Sequence, residues 1–578
     1  MTRRPFIVYG LLFVVLIVVH PLLLPETLRQ MEGSDFFTSN FDFFMEKLAD
    51  APGVTAWLSN FLLQFFRWPF VGMLIEALLL ILIAVLCGMI PWVLHRKGYS
   101  EWSVLVPIVL LLVVPMNVQI YLEAVFFFAG LVAGLRLKLQ WVKSVYLFLW
   151  AIVGFFLTSF PLLILSIVLI AGYSFYKQRS ILVLVASILA IGGAVSVVFV
   201  SNEWIGFIPF EKRFTCFPEK MGSLWKYLAF FVVSIALMLV PNKGNKSWLQ
   251  WSSVALASLC AIGASVYAAV NNETKFTEKF YYISALADKK DWHTILEIIP
   301  YEETLESKMA LRYALLAEAG QGTFADNVFN YPITSPEDYL YRHEVNRMSC
   351  IFNRLFYDNA GIYDEAMRMA FEYGVMTQEG ICFSSLRQMA HYSILLGDFK
   401  VAEKYLEILS ESTLHDSWVE KERVLLAWRK SAKQQKKPIV KDTFVNVYAM
   451  NSEMVRQAQV MPKNRKVVDY LLVGLLLQRE LQKFAIVMHG FPVYKNRTLP
   501  KPYAEAAAMM VTNPQFNLHK DFKYSEDTDN EFAEFIKLKQ QNQSSSAMAQ
   551  YYGSYWFYYF YVNSSDNARQ TGESKQVN

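Results

Sequence analysis

The chain has 578 residues, of which 54% are hydrophobic and 18% charged, and its formal net charge is +4. A net charge this small for the length argues against nucleic-acid binding. Apolar runs crowd residues 1–270 and polar sequence with helical periodicity follows. The composition therefore predicts an all-α protein with a membrane half and a water-exposed half.

The apolar runs predict about nine membrane spans, since roughly 20 apolar residues cross a bilayer. Pro5 to Leu24 is the first run, and we interpret it as an uncleaved anchor because no small-residue cleavage site follows it. Two longer stretches, 104–137 and 145–176, are broken by Pro115 and Pro161, which is typical of paired short spans joined by a tight turn. Re-entrant hairpins are the alternative. The other runs cover 69–94, 181–200, 224–240 and 252–270.

Basic residues follow alternate spans, and such residues concentrate on the cytoplasmic side of bacterial membranes. With an odd number of spans, this pattern predicts a multi-pass protein of the inner (cytoplasmic) membrane. Its amino terminus would be cytoplasmic and its polar half periplasmic or extracellular. The residues that carry the pattern are Arg3, Arg4, Arg96, Lys97, Arg136, Lys138, Lys143, Lys177, Arg179, Lys243 and Lys246.

The first exterior loop, residues 25–68, is amphipathic. Its segment Thr55 to Phe66 carries Trp57, Phe61 and Phe65 on one side, so we expect a helix lying along the membrane surface. Two aspartates, Asp35 and Asp42, precede this segment in aromatic surroundings.

Other polar residues also fall at the exterior ends of the predicted spans. Ionisable groups in spans are costly and therefore suggest a site, although polar residues near an interface cost little. We predict a shared exterior pocket in which Asp35 and Asp42 are the catalytic candidates. The candidates for substrate binding are His20, Glu76, Glu123, Lys212 and Arg213.

The acidic first loop with its surface helix resembles the C-type glycosyltransferases (GT-C), which transfer a sugar from a polyprenyl-phosphate carrier outside the cytoplasm. The resemblance implies that Asp35 or Asp42 deprotonates the acceptor hydroxyl or helps to bind a divalent metal. It also implies that Lys212 or Arg213 faces the phosphate of a lipid-linked sugar. The sequence departs from the family because its two acids lie seven residues apart.

The polar half contains a repeated phrase with a period in the thirties. Leu386, Ala390, Gly397-Asp398-Phe399 and Ala402 follow the tetratricopeptide (TPR) pattern, and Gly361 to Ala366 repeats part of it. The sequence therefore predicts TPR-like helix pairs over residues 271–563. Such a stack offers a face on which an envelope protein partner could dock.

The polar half ends in an aromatic segment, Tyr551 to Tyr561, which we expect to cap the repeats as a final helix or strand. Residues 564–578 are too polar to bury a core and are predicted to be disordered. A disulfide between Cys350 and Cys382 is conceivable from their spacing, with unpaired buried thiols as the alternative.

The whole chain also resembles a group of uncharacterised bacterial multi-pass proteins that have a TPR-like carboxyl half and an aromatic ending such as Gly553-Ser554-Tyr555-Trp556. That resemblance implies no activity. Three hypotheses stay open at this point: an envelope protein that presents a docking domain, a GT-C-like glycosyltransferase, and a transporter.

Overall fold

The computed structural model describes residues 4–48, 52–95, 101–205, 247–340, 346–377, 379–412, 414–434, 450–511, 518, 521–541 and 548–562. Within these ranges the chain is helical and has no β-strand beyond an isolated bridge between Thr498 and Lys523. The all-α prediction is confirmed. The chain forms two compact units, Met1–Tyr281 with Glu411–Leu414, and Tyr282–Ser410 with His415–Asn578. The predicted domain ranges 1–270, 271–563 and 564–578 stay predictions.

The first unit is built from long apolar helices and a group of short helices in the first loop. In chain order its helices are α1 (Arg4–Leu23), α2 (Pro25–Gly33), α3 (Phe41–Leu48), α4 (Gly53–Leu63), α5 (Pro69–His95), α6 (Leu105–Val113), α7 (Val118–Arg136), α8 (Gln140–Leu157), α9 (Phe160–Gln178), α10 (Ile181–Ile205) and α11 (Ser247–Val270), followed by the first part of α12 (Asn272–Asp288).

The structure does not confirm nine membrane spans. In the described ranges, five helices, α1, α5, α7, α8 and α9, are long and apolar enough to cross a bilayer. The bent pair of α11 and α12, which meet at 46°, would make a sixth. Helix α6, with nine residues, is too short to cross a bilayer by itself, and α10 qualifies only as a shorter apolar helix over Ile181–Ser196. The predicted span 224–240 lies outside the described residues.

Both predicted interruptions are present as helix breaks, and each has a local cause. Between α6 and α7 the backbone turns at Met116, whose φ is 59°, and the Asn117 side chain caps α7 by accepting a hydrogen bond from the Ile120 amide. Between α8 and α9, Pro161 lies in the first turn of the new helix, where its missing amide hydrogen costs nothing.

Small residues bring the helices of the first unit close together. Helix α7 is buried along most of its length between α5, α8 and α9. Gly130 of α7 lies directly against the Trp150 ring of α8, so that a side chain at this position would overlap the ring. The Trp150 indole N–H in turn donates to Ser166 of α9 at 2.9 Å. Close approach at glycine is a common way to pack membrane helices.

The helix predicted at Thr55 to Phe66 exists as α4 with a 3₁₀ turn, Gln64–Arg67. Its polar residues Thr55, Ser59, Asn60 and Gln64 are buried, whereas Phe61 is among the exposed aromatic residues. Thr55 donates to the Leu157 carbonyl of α8 at 2.8 Å, and Asn60 donates to the Phe36 carbonyl at 3.1 Å. The polar face of α4 therefore packs against the interior of the first unit, and part of its apolar face is exposed.

The second unit contains the rest of α12 and a succession of shorter helices. These are α13 (Trp292–Ile298), α14 (Tyr301–Glu306), α15 (Lys308–Gln321), α16 (Phe324–Asn327), α17 (Arg347–Ala360), α18 (Tyr363–Val375), α19 (Phe383–Leu396), α20 (Phe399–Ser410), α21 (Asp416–Gln434), α22 (Met450–Val460), α23 (Arg465–Leu477), α24 (Leu481–Gly490), α25 (Lys501–Met509), α26 (Glu526–Gln540) and α27 (Tyr555–Tyr561).

Helices α17 to α20 pack in sequence order, each against the next. The sharp turns that allow this are glycines in the left-handed region, Gly361 at φ 77° after α17 and Gly397 at φ 83° after α19. Each terminates its helix with backbone hydrogen bonds to the last turn, a geometry that residues with a side chain rarely adopt. Both glycines belong to the repeated phrase of the sequence, so the phrase marks helix ends.

The aromatic ending forms α27. Tyr555, Trp556 and Tyr558 are buried, and the hydroxyl oxygen of Tyr558 lies 2.8 Å from the carbonyl oxygens of Thr334 and Leu477, which compete for its one hydrogen. The Tyr555 amide donates to the Glu505 carboxylate at 2.6 Å, where the amino-terminal end of a helix favours negative charge. The segment therefore packs as a helix on the second unit.

Candidate functional site

Glu76 is the most unusual of the predicted site residues. It lies about two turns into α5 and is completely buried. Its carboxyl group faces the Tyr121 hydroxyl and the Met116 amide at the break between α6 and α7. Among the described residues, no donor is placed in hydrogen-bonding geometry to either carboxyl oxygen.

The hydrogen bonds of Tyr121 explain why the Glu76 carboxyl has no donor. The Tyr121 hydroxyl oxygen accepts from the Met116 amide at 3.1 Å, and its hydrogen is donated to the Val114 carbonyl at 2.9 Å. A phenol has one hydrogen to give. Tyr121 therefore closes the turn between the two helices and presents only a lone pair toward Glu76.

Glu123, the other acidic candidate in this part of the unit, has ordinary structural partners. It is buried on α7 and accepts from the Ser159 amide at 3.2 Å and from Gln119 at 3.4 Å. Ser159 precedes α9, so the carboxylate supplies negative charge at that helix's amino terminus. The first unit thus brings Glu76 and Glu123 to the same end of α7 but toward different neighbours.

His20 contacts a different helix. It is buried on α1, and its Nε2 lies 3.0 Å from the Ser265 carbonyl of α11. This hydrogen bond joins two helices that pack along their lengths. The geometry describes a histidine that holds a helix interface, and the proposed role in substrate binding stays a prediction.

The two aspartates of the first loop differ in environment. Asp35 is buried just after α2, whereas Asp42 is exposed in the first turn of α3, where its amide donates to Asn40. In the described part of the chain, no group of three or more His, Cys, Asp or Glu residues has the arrangement of a metal site. Lys212 and Arg213 lie outside the described residues, so the predicted shared pocket and its divalent metal stay predictions.

The structure makes three residues prominent that the sequence does not indicate as site candidates. Tyr121 lies within an apolar run, and Lys143 fits the pattern of basic residues that predicts topology. Lys143 is in fact buried, and its Nζ donates to Ser174 of α9 at 2.9 Å. Arg354 carried no local signal because its acidic partner, Asp288, is 66 residues away in the sequence.

Arg354 is the centre of a charged cluster in the second unit, which we define as Asp288, Arg354, Asp358, Tyr363 and Tyr392. Its guanidinium is buried, donates to Asp288 at 2.9 Å and contacts the Tyr392 hydroxyl at 3.3 Å. Burial lowers the pKa of Arg354, but the charges of Asp288 and Tyr392 outweigh it and raise that pKa. Its Nε has no hydrogen-bond acceptor among the described residues.

The Arg354 cluster reaches the surface. The Asp288 side chain is 51% exposed, and Asp358 and Tyr363 are half-buried. The rings of Tyr363 and Tyr392 stack with centroids 6.2 Å apart. Lys466 lies nearby, and its pKa is lowered by burial and by the like charge of Lys290.

Cys350 and Cys382 share a small apolar cluster with Tyr373, yet both are free thiols. Burial, followed by the charge of Glu372, raises the pKa of Cys350 to about 11. The alternative of unpaired buried thiols therefore describes this structure.

These features define an all-helical protein with several helices suited to a membrane. A family of unknown function (DUF6057) matches residues 2–562, and the chain belongs to that family. This agrees with the predicted resemblance to an uncharacterised group. No curated protein and no solved structure matches the chain. The comparisons give no support to the TPR and GT-C resemblances.

Proposed function

We propose that the protein is an integral protein of the bacterial inner membrane whose second unit docks a partner protein outside the cytoplasm. The observation that carries the proposal is the Arg354 cluster, which combines a buried arginine, stacked tyrosines and a half-exposed edge. Arginine and tyrosine are enriched among the residues that dominate protein interfaces. The succession α17 to α20, with its glycine turns, supports a TPR-like stack as the scaffold.

The charges around the cluster favour an acidic partner segment. Lys290 and Lys466 repel one another, and an anion bound between them would relieve that repulsion. Arg429 faces Tyr363 from α21 and adds a third positive charge. An extended peptide with Asp or Glu side chains fits this surface best.

The orientation is part of the proposal and derives from the basic residues that follow alternate spans. It requires the second unit to be exported. Within the described residues, which do not include Lys212 and Arg213, no contact, distance or charge favours the glycosyltransferase alternative over docking. Sugar donor and divalent metal remain expectations tied to the GT-C resemblance.

The test is site-specific photocrosslinking of the full-length protein in its native membrane. A photoreactive phenylalanine analogue replaces Tyr363 in the cluster or, as the matched control, Phe371, which is exposed on the same helix. We expect a discrete crosslinked protein from position 363 and none from position 371. The product should weaken several-fold in Lys290→Gln and Lys466→Gln and at high salt, because surface charge attraction is screened.

The same experiment can contradict the proposal. The Arg354 cluster is not the docking surface if positions 363 and 371 give equal crosslinked products, or if the product at position 363 is unchanged by both lysine substitutions. A reporter fused after Val270 that is active only in the cytosol would remove the exported orientation.

A further inference from the structure

Glu76 combines features that no role in helix packing explains. It is completely buried in a helix suited to cross the membrane, and no described donor hydrogen-bonds to its oxygens. An isolated carboxylate in such surroundings is unstable because its charge has lost water and gained no partner. The carboxyl group is therefore stable in the neutral, protonated form, or with a bound cation.

The neighbouring groups favour the proton. The Tyr121 hydroxyl has already given its hydrogen to Val114, so the atom that faces Glu76 is an acceptor. A protonated carboxyl can donate to that lone pair, whereas an ionised one would face it with repulsion.

Other ionisable groups of the helices around α5 are engaged elsewhere. His20 of α1 bonds to Ser265, and Glu123 of α7 bonds to Ser159. Arg67, in the 3₁₀ turn before α5, donates to the Leu414 carbonyl at 2.6 Å. Tyr121 is thus the titratable side chain that faces Glu76 among the described residues.

We propose that Glu76 is a reversible proton-binding site at the break between α6 and α7. On release, the carboxyl O–H bond breaks, the proton passes to solvent, and a carboxylate remains. The Tyr121 hydroxyl then turns its hydrogen from the Val114 carbonyl to the carboxylate, which frees the end of α6. Proton binding is in this way coupled to the closure of the turn.

The proposal is tested by infrared difference spectroscopy of the full-length protein in lipid nanodiscs, recorded between mildly acidic and mildly alkaline buffer. A protonated carboxyl has a carbonyl band that disappears on ionisation. We expect this band in the wild-type protein and in Glu123→Gln, its complete loss in Glu76→Gln, and its retention at a shifted frequency in Glu76→Asp. In Tyr121→Phe, the midpoint of the transition should move to higher pH because the carboxylate loses its donor.

Two results would overturn the proposal. One is a set of difference spectra in which wild type, Glu76→Gln and Glu76→Asp coincide in the carboxyl region, which would mean that Glu76 does not titrate. The other is loss of the band at constant pH when sodium replaces choline, which would assign the site to a metal cation. Gel filtration of each variant establishes that it is folded before the spectra are compared.

Discussion

One buried carboxyl group of the first unit, that of Glu76, contrasts with the buried carboxyl groups Asp469 and Glu505 of the second unit. In the second unit, Asp469 accepts hydrogen bonds from Tyr494 and Tyr503, the latter at 3.0 Å, and pairs with Arg465. Glu505 accepts the Tyr555 amide. In the first unit, Glu76 is buried as deeply as either and has no hydrogen-bond donor among the described residues.

The difference indicates that Asp469 and Glu505 stabilise the fold, whereas Glu76 has another role. The partners of Asp469 come from three separate elements, α23, the turn Pro492–Tyr494 and α25, so this carboxylate joins them. Buried polar groups normally have such partners, and an exception calls for a functional explanation. Substitutions at these acids test whether the contrast holds.

The largest effect is expected for Asp469→Ala. The substitution removes the carboxylate that accepts from two buried tyrosine hydroxyls and pairs with Arg465, and loss of one member of a buried charged network costs about 3–5 kcal/mol of the free energy of unfolding. Thermal unfolding of the full-length protein in detergent measures it. Asp521→Ala is the matched control, since Asp521 is exposed and lies 3.6 Å from His489 at the surface, and it should change stability by less than about 0.5 kcal/mol. Equal losses in the two variants would contradict a structural role for Asp469.

Glu505 should make the second unit less stable as pH rises. Burial raises the pKa of this carboxyl to about 7, against the lowering effects of the Tyr555 amide and of Lys501. Its ordinary value is 4.5. Below pH 4.5 both folded and unfolded states are protonated, and the contribution to stability is complete. Between that value and 7 the unfolded state ionises first, so about 3 kcal/mol is lost.

Glu505→Gln tests this dependence because the amide oxygen still accepts from Tyr555 while the group no longer titrates. Melting temperatures of wild type and variant should converge at low pH and separate toward neutrality, with the variant the more stable. Curves that run parallel over this range would show that Glu505 does not carry the dependence.

The first-loop aspartates should differ by their burial. Asp35→Ala removes a buried carboxyl and should cost about 1–3 kcal/mol of the free energy of unfolding, whereas the exposed Asp42 should tolerate alanine within about 0.5 kcal/mol. Chemical denaturation of both variants in the same detergent makes the comparison. An equal cost at the two positions would show that burial does not set the difference.

Local features of the fold could be predicted from the sequence. The breaks at Pro115 and Pro161 and the helix ends at Gly361 and Gly397 each depend on the backbone preference of one or two residues. The number of spans could not, since a nine-residue helix such as α6 has the same apolar composition as part of a long one.

The partners of charged residues could not be predicted either, because they come from distant parts of the chain. Lys143 looked like a topology marker, and only the packing of α8 on α9 shows that it is buried against Ser174. Arg354 is paired with Asp288, which is distant in the sequence, and the environment of Glu76 is formed by the turn at Met116. Sequence alone identified Glu76 and Glu123 as equivalent acids, and their hydrogen bonds distinguish them.

A small effect is expected for Glu76→Gln, and this result is the most informative. If the carboxyl is neutral in the folded protein, a neutral amide of the same shape should change the free energy of unfolding by less than about 1 kcal/mol, well below the cost at Asp469. If Glu76 were an ionised partner in a buried charge pair, the same substitution would cost about 3–5 kcal/mol. Glu123→Gln provides the scale, since it replaces a carboxylate that accepts an amide hydrogen at a helix amino terminus and should cost about 1 kcal/mol. Thermal unfolding of the wild type, Glu76→Gln and Glu123→Gln near neutral pH measures which substitution costs more stability. A loss at Glu76 that exceeds the loss at Glu123 would place a charge at Glu76 and would end the contrast between the two units.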